Sequence, residues 1–363
     1  MMQRVLFFMV FILSTMLVTS SVSAQENVTT AMNAPLPGAV RLEGVLPVYQ
    51  DVNRCSAAAL TIQLSYFTGT RPYDEVIRAL NPNIEDVSVR LDEMGRYATE
   101  TYGLQSVIRY GGTLDMLKAL VAAGFPVLIE NVYYDGAGGF NDWLSHNRVV
   151  MGYDDALQEI YTFDSLLGNG PDDTGRPIPY ADIDSRWRPF NRDMLVLYRP
   201  EDEGKVEEAL GSHWDSTYNL EWALSLSEQE LEGDSPDSFS LFNMGETLVM
   251  LGRYEEAADA FDRARAIGLP WRITWYQFGP FEAYLAVGRY DDVIALARET
   301  IAGTPGVEEV YYYAARAYEA TGDLLRAEAN YEVAVWRNRN YTEAALALAR
   351  LRGTATPQPT PSS

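Results

Sequence analysis

The chain has 363 residues, of which 47% are hydrophobic and 22% are charged, and its formal net charge at pH 7 is −23. This length and hydrophobic content are enough for two domains with full cores and argue against general disorder. The 51 acidic residues outnumber the 28 basic ones. Because such a surface repels phosphate backbones and anionic lipids, we expect no nucleic-acid partner.

The first 24 residues have the pattern of a secretory signal peptide. One basic residue, Arg4, precedes an apolar run over 5–18, and small residues follow it at the expected cleavage site. The apolar run is short for an uncleaved membrane anchor. We therefore expect a protein that is secreted or held at the cell surface, with no stable membrane span after cleavage. Residues 25–44 are polar and carry prolines, which predicts a disordered tether.

Cys55 is the only cysteine, so the chain has no intramolecular disulfide. Exported proteins meet oxidising surroundings in which cysteines are usually paired or absent, and a single retained thiol is a candidate reactive group. One cysteine and the two histidines, His146 and His213, are a poor ligand set for zinc. We expect no metal and no cofactor, although calcium sites made of carboxylates alone remain open.

Residues 45–200 predict an α+β domain in which helices precede strands. The predicted helices cover 55–68, 73–80, 89–102 and 114–123, and the predicted strands cover 126–133, 148–153, 159–164 and 194–198. An acidic linker is expected over 201–213.

The last part of the chain repeats itself. The sequence GRYEEA at residues 252–257 recurs as GRYDDV at 288–293 and as GDLLRA at 322–327. A glycine turn at a spacing of about 34 residues is the signature of tetratricopeptide repeats. We predict an all-α repeat solenoid over 214–353 and a disordered tail over 354–363. Its recurring aromatic residues predict packing between repeats, and a concave groove lined by tyrosines is a candidate site for a protein partner.

Cys55 is predicted to lie at or just before a helix start. The N–H groups and the dipole of a helix N-terminus favour the thiolate over the thiol, which lowers the cysteine pKa. Gln50 lies five residues upstream, and its amide is a candidate donor to an oxyanion. The alternative is that Cys55 is a small buried apolar residue beside three alanines, and this stretch alone leaves both interpretations open.

His146 and Asp164 complete a candidate catalytic set. His146 comes just before the predicted strand 148–153, behind a glycine-rich loop over 135–142 that is expected to pass close to a substrate. Asp164 ends the neighbouring strand. A cysteine, a histidine and an acid in this arrangement suit the roles of nucleophile, base and orienting group. The alternatives are a structural His146 and an Asp164 that makes a turn, and a slip of one residue in register would turn Asp164 away.

Four of these stretches resemble the family-thirty-nine-like cysteine peptidases, a papain-like group whose best-known members process bacteriocin leaders after a double glycine. They are Gln50, Cys55, SHNRVVMGYD at 145–154 and FDS at 163–165. The resemblance covers about residues 45–200. It implies a papain-like fold in which Cys55 is the nucleophile, His146 the base, Asp164 the orienting acid and Gln50 the oxyanion donor.

The chain departs from this family at two positions. Ser56 follows the cysteine where the family usually has glycine, and Asn147 follows the histidine where it usually has a bulky apolar residue. The transporter-fused members lie beside membrane and ATPase domains that this sequence lacks, so we do not expect leader-peptide processing.

The sequence therefore favours an exported cysteine hydrolase, a peptidase acting through a thioester, whose repeats bind a peptide or protein substrate. The alternative is a non-catalytic extracytoplasmic scaffold that uses the repeat groove. A third hypothesis, a cell-wall amidase with a Cys-His-His set, requires His213 to join the site.

Overall fold

The computed structural model describes residues 35–353 except residues 135, 137 and 234–236. The predicted signal peptide, the first part of the predicted tether and the predicted C-terminal tail lie outside the described residues. Within the described ranges, no helix is long and apolar enough to cross a bilayer.

A seven-stranded antiparallel sheet forms the centre of the first domain. Its order is β2-β7-β3-β4-β5-β6, and β1 pairs with β4. The strands are β1 (Ala39–Arg41), β2 (Gln105–Arg109), β3 (Val127–Tyr134), β4 (Trp143–Asp154), β5 (Glu159–Asp164), β6 (Arg176–Pro179) and β7 (Met194–Tyr198).

Helices cover both faces of this sheet. One face carries α1 (Cys55–Thr68), α2 (Tyr73–Leu80) and α3 (Leu91–Tyr102), and the other carries α4 (Leu114–Ala122), α5 (Tyr180–Trp187) and α6 (Glu203–Leu210). Successive strand residues point to opposite faces, so Leu128 joins the core under α1–α3 while Val127 and Ile129 join the core under α4–α6. The α+β fold predicted from the sequence is confirmed.

Two segments differ from the prediction. Residues Ala39–Arg41, which fall in the predicted disordered tether, form β1, because Val40 pairs with Tyr153 at the far end of β4. The predicted linker over 201–213 is mostly helical. Val206, Ala209 and Leu210 are buried at helical spacing, while the acidic residues between them face solvent and give the segment the composition of a linker.

The C-terminal part is a stack of helical hairpins, as predicted. Glycine turns join α8 to α9, α10 to α11 and α12 to α13, and the φ angles of Gly252, Gly288 and Gly322 are +73°, +77° and +83°, a region that favours glycine. The helices are α7 (Ser216–Leu231), α8 (Ser238–Met250), α9 (Tyr254–Ile267), α10 (Gly279–Ala286), α11 (Tyr290–Gly303), α12 (Glu308–Ala320), α13 (Leu324–Arg337) and α14 (Thr342–Leu351).

The solenoid packs against the first domain at both of its ends. At its start, Trp222 Nε1 of α7 donates to the carbonyl oxygen of Gly111 over 2.8 Å, and near its middle the ring of Tyr276 lies 5.8 Å from that of Trp143 of β4. At the far end, Asn340 Nδ2 donates to the carbonyl oxygen of Ala79, at the end of α2, over 2.8 Å. The side of the solenoid that carries Tyr276 therefore faces the first domain.

Buried carboxyl groups lie in this contact. Asp86, Glu308 and Glu309 are at most 3% exposed, and one oxygen of Glu309, Oε2, has no hydrogen-bond partner. Arg90 approaches the other oxygen of Glu309 at 3.7 Å but also pairs with Asp92 at 2.9 Å. Burial, with the charges of Glu308 and Glu93, raises the pKa of Glu309 well above its ordinary value.

We predict that Glu309→Gln stabilises the protein more at about pH 8 than at about pH 5. Between the pKa of Glu309 in the unfolded chain and its higher pKa in the folded protein, the folded state holds a proton that the unfolded state has lost. The free energy of unfolding therefore falls as the pH rises through this range. Each unit of this shift costs about 1.4 kcal/mol at high pH. Glutamine cannot ionise, and thermal unfolding at both pH values measures the difference.

Glu319→Gln, on the same helix, is the matched control. The hydrogen bond from Arg350 lowers the pKa of Glu319, so losing this carboxylate lowers the melting temperature at about pH 8. A Glu309→Gln variant that melts lower than the wild type at about pH 8 would contradict this account of the interface.

Candidate active site

Cys55 is the first residue of α1 and is half-buried. The next ten residues of this helix are all buried, which explains why small residues follow the cysteine. Within it, Gln63 Nε2 donates to the carbonyl oxygens of Pro126 and Leu195 at 3.0 and 2.9 Å, which ties the helix to the sheet. The thiol is therefore held at the positive end of a rigid, buried helix.

His146 lies within β4 rather than just before a strand, because β4 begins earlier than predicted, at Trp143. The polar residues around His146 have low strand propensity, and pairing with β3 outweighs it. In the register of β4 and β5, Arg148 lies opposite Asp164, and His146 lies two residues away on the same face. His146 Nε2 is 2.9 Å from Asp164 Oδ1, which leaves Nδ1 as the ring nitrogen available to Cys55.

Asp164 is fully buried and held on both oxygens. Besides His146, its Oδ1 accepts hydrogen bonds from the backbone N–H groups of Leu166 and Leu167 at 2.9 and 2.7 Å. Its Oδ2 accepts from Arg148 Nε at 2.6 Å. Burial raises the pKa of Asp164, but the hydrogen bond and charge of His146 and the charge of Arg148 outweigh burial and hold that pKa well below its usual range.

Arg148 is a member of this network that the sequence reasoning missed. It is 3% exposed, and its Nη1 donates to Asn131 Oδ1 at 2.5 Å while its Nε holds Asp164. The signal in the sequence was its position two residues after His146, which puts both side chains on one face of a strand. A buried arginine needs a carboxylate partner, and Asp164 supplies it.

The pKa values of Cys55 and His146 shift in opposite directions. Burial raises the pKa of Cys55, but the hydrogen bond and charge of His146 outweigh it, and the net pKa lies below the ordinary value. Burial lowers the pKa of His146, but the hydrogen bonds to Asp164 and Cys55 outweigh it, and the net pKa is raised. The pair is therefore biased toward thiolate and imidazolium.

Asn147 also contacts the sulfur, although the sequence marked it only as a departure from the family pattern. Its Nδ2 donates to Cys55 Sγ at 3.8 Å and to Ser56 Oγ at 3.1 Å. Hydrogen bonds from its side chain and its backbone both lower the Cys55 pKa. The two departures, Ser56 and Asn147, are bonded to each other and together support the thiolate.

Gln50 is anchored beside Asp164. Its backbone N–H donates to the Ser165 carbonyl oxygen at 3.0 Å, and the Ser165 hydroxyl donates to Gln50 Oε1 at 2.8 Å. This fixes the orientation of the amide and leaves Nε2 without a hydrogen-bond acceptor among the described residues. Nε2 is the donor that an oxyanion would need.

His213 does not join this site. It is buried in a short 3-10 helix over Gly211–Trp214, with its ring edge-on to Tyr218 and Trp222 at 5.3 and 5.5 Å. Burial, and then the charge of Arg109, lower its pKa. A Cys-His-His set is thus not assembled. Across the described ranges, no three His, Cys, Asp or Glu side chains are placed to hold a metal ion.

The model of the Peptidase_C39 like family matches residues 41–193. This match confirms the resemblance of the first domain to the family-thirty-nine-like peptidases, and it spans less than half of the chain. A comparison with curated proteins finds no match.

Three of the solved structures that are similar to this chain match it at TM-scores of 0.32–0.35. A C39-like peptidase from Bacillus anthracis shares 17% identity over 45% of this chain and 98% of its own. A double glycine motif protease from an AMS/PCAT transporter, solved with its leader peptide, shares 21% over 44% and 94%. MamA from Desulfovibrio magneticus RS-1 shares 18% over 42% and 85%.

We predict that the two histidines titrate on opposite sides of the ordinary value, His146 above about 6.5 and His213 below it. Asp164→Asn removes the charge that favours the imidazolium and lowers the His146 pKa by about 1–3 units. The imidazole proton resonances in NMR spectra, assigned with a His213→Asn variant, measure both pKa values.

Asp155→Asn, a change of the same charge in the turn between β4 and β5, leaves the His146 pKa in place. A His146 pKa that Asp164→Asn does not lower would contradict the role of Asp164.

Proposed function

We propose that this chain, whose residues 41–193 form a Peptidase_C39-like domain, is a cysteine hydrolase that cleaves peptide bonds in an exported setting. The observation that carries the proposal is the set of interactions that links Cys55, His146 and Asp164, in which the pKa shifts of Cys55 and His146 favour a thiolate beside an imidazolium. An inert structural cysteine lacks these charged neighbours.

In the first step, the Cys55 thiolate attacks the carbonyl carbon of the scissile bond and forms a C–S bond, and the carbonyl electron pair moves onto its oxygen. In this proposal, Gln50 Nε2 and the Cys55 backbone N–H donate hydrogen bonds to this oxyanion. The C–N bond then breaks as His146 gives its proton to the leaving amine. A thioester on Cys55 and a neutral His146 remain.

In the second step, water attacks the thioester. His146 removes a proton from the water, the C–S bond breaks, and the carboxylic acid product leaves. The thiolate and the imidazolium are restored. Throughout, Asp164 keeps the His146 ring oriented, and Arg148 keeps Asp164 ionised and in place.

The surroundings of the thiol suit a peptide or protein substrate. Tyr49 and Val52 flank Gln50 on the segment that leads into α1, and they are 60% and 70% exposed. Such exposed apolar side chains beside a nucleophile offer contacts to an extended chain. Tyr276 of the repeats packs against Trp143 of β4, and burial and then the negative charge of Cys55 raise the pKa of Tyr276. The repeats thus contribute to the substrate cleft itself.

We predict that a chloroacetamide probe labels Cys55 at neutral pH faster than it labels a free cysteine, and that His146→Ala slows this labelling by about 10²-fold or more. Because Cys55 is the only cysteine, intact-protein mass spectrometry counts the adduct without ambiguity. Cys55→Ala gives no adduct.

His213→Asn replaces the only other histidine and labels at the wild-type rate. Circular dichroism of each variant shows that it is folded. Labelling no faster than that of a free cysteine, or unchanged by His146→Ala, would contradict the hydrolase and favour the scaffold.

A further inference from the structure

A cavity of about 230 Å³ lies between the first domain and the repeats, and its wall includes Ser56, the residue after Cys55. Ser56 and Ser145 line it on the side of the active site, and Ser56 Oγ is 4.0 Å from Cys55 Sγ. The volume is below the roughly 300 Å³ at which pockets for whole small molecules begin. Its size and place suit one side chain of a bound substrate.

Three carboxyl groups face this cavity without a cationic partner. They are Glu130 of β3, Asp193 before β7 and Glu246 of α8, and none of them forms a salt bridge with any residue that the structure describes. Arg90 also lines the cavity, but Asp92 and Glu309 already pair with it.

Each of the three carboxyls keeps one oxygen free. Ser145 Oγ donates to one oxygen of Glu130, the Glu130 N–H donates to Asp193 Oδ1 at 3.2 Å, and the Gly279 N–H donates to Glu246 Oε1 at 3.0 Å. Their second oxygens accept no hydrogen bond from a described residue. Asp193 is only 8% exposed, and it is one of the residues that line the cavity.

Aromatic rings complete the wall. Tyr110 comes from the first domain, and Tyr276, Phe278 and Tyr313 come from the repeats. Aromatic faces attract cations, and aromatic walls combined with carboxylates are the chemistry that holds ammonium and guanidinium groups. A neutral apolar side chain would leave the free carboxyl oxygens unpaired, which is costly in a buried site.

We propose that this cavity binds the side chain of a substrate lysine or arginine close to the bond that Cys55 cleaves, an inference that rests on the proposed peptidase function. Burial raises the pKa of Glu130 to about 8 and that of Glu246 to about 7, and no cationic side chain among the described residues pairs with either carboxyl to offset this. A guanidinium or ammonium group supplies the missing charge and lets them ionise. The repeats, through Glu246 and Tyr276, thereby set substrate preference.

The test uses dipeptidyl acyloxymethyl ketones that carry arginine, norleucine or glutamate at either of the two residues before the reactive ketone. At one of these positions we expect the arginine probe to inactivate the full chain about tenfold faster than the norleucine probe, with the glutamate probe slowest. Asp193→Asn and Glu246→Gln each reduce the ratio of arginine to norleucine rates by about threefold or more. Glu255→Gln, a surface change of the same charge on α9, leaves the ratio unchanged.

The outcomes separate the two proposals. Equal rates for arginine and norleucine at both positions, with Cys55 still labelled rapidly by chloroacetamide, would overturn the cavity assignment and leave the hydrolase standing. Slow labelling by every reagent would overturn the hydrolase. An arginine preference that survives both Asp193→Asn and Glu246→Gln would place the basic subsite elsewhere and overturn the assignment as well.

Discussion

The site depends on one contact, the buried hydrogen bond between His146 Nε2 and Asp164 Oδ1, which is 2.9 Å long. It fixes which ring nitrogen faces Cys55, and together with the interactions of Cys55 it raises the histidine pKa in spite of burial. It persists because Arg148 and two backbone N–H groups neutralise and hold Asp164 from its other sides. A carboxylate buried without those donors would take up a proton and lose its hold on the imidazole.

The fold explains why these groups meet. α1 lies across the sheet with its N-terminus over β4, which brings the sulfur of Cys55 to the strand that holds His146. The neighbouring strand, β5, ends at Asp164. The repeats then close one side of the cleft with Tyr276 and Glu246. Catalysis and recognition are divided in this account, because the first domain supplies the reacting groups while the interface between the two parts supplies the selecting surface.

The sequence was enough to predict the elements that have strong periodicity and the candidate residues whose types are rare in the chain. The glycine turns at Gly252, Gly288 and Gly322 predicted the repeats, and a single cysteine with one suitable histidine left few candidates for a catalytic set. It did not predict β1 or α6, since three residues of edge pairing and a short acidic helix carry little pattern. The contacts that Asn147 and Glu130 make depend on strand register and on docking between distant segments, which no local pattern encodes.

The central claim is that His146 and Asn147 hold the pKa of the Cys55 thiol below its ordinary value, and the ultraviolet absorbance of the thiolate tests this most directly. With a single cysteine in the chain, the difference between the wild type and Cys55→Ser across pH reports that sulfur alone. The account predicts an apparent pKa below about 8.5, shared with His146 as a coupled titration. A titration at or above that value would mean that burial dominates and that Cys55 is an inert core residue.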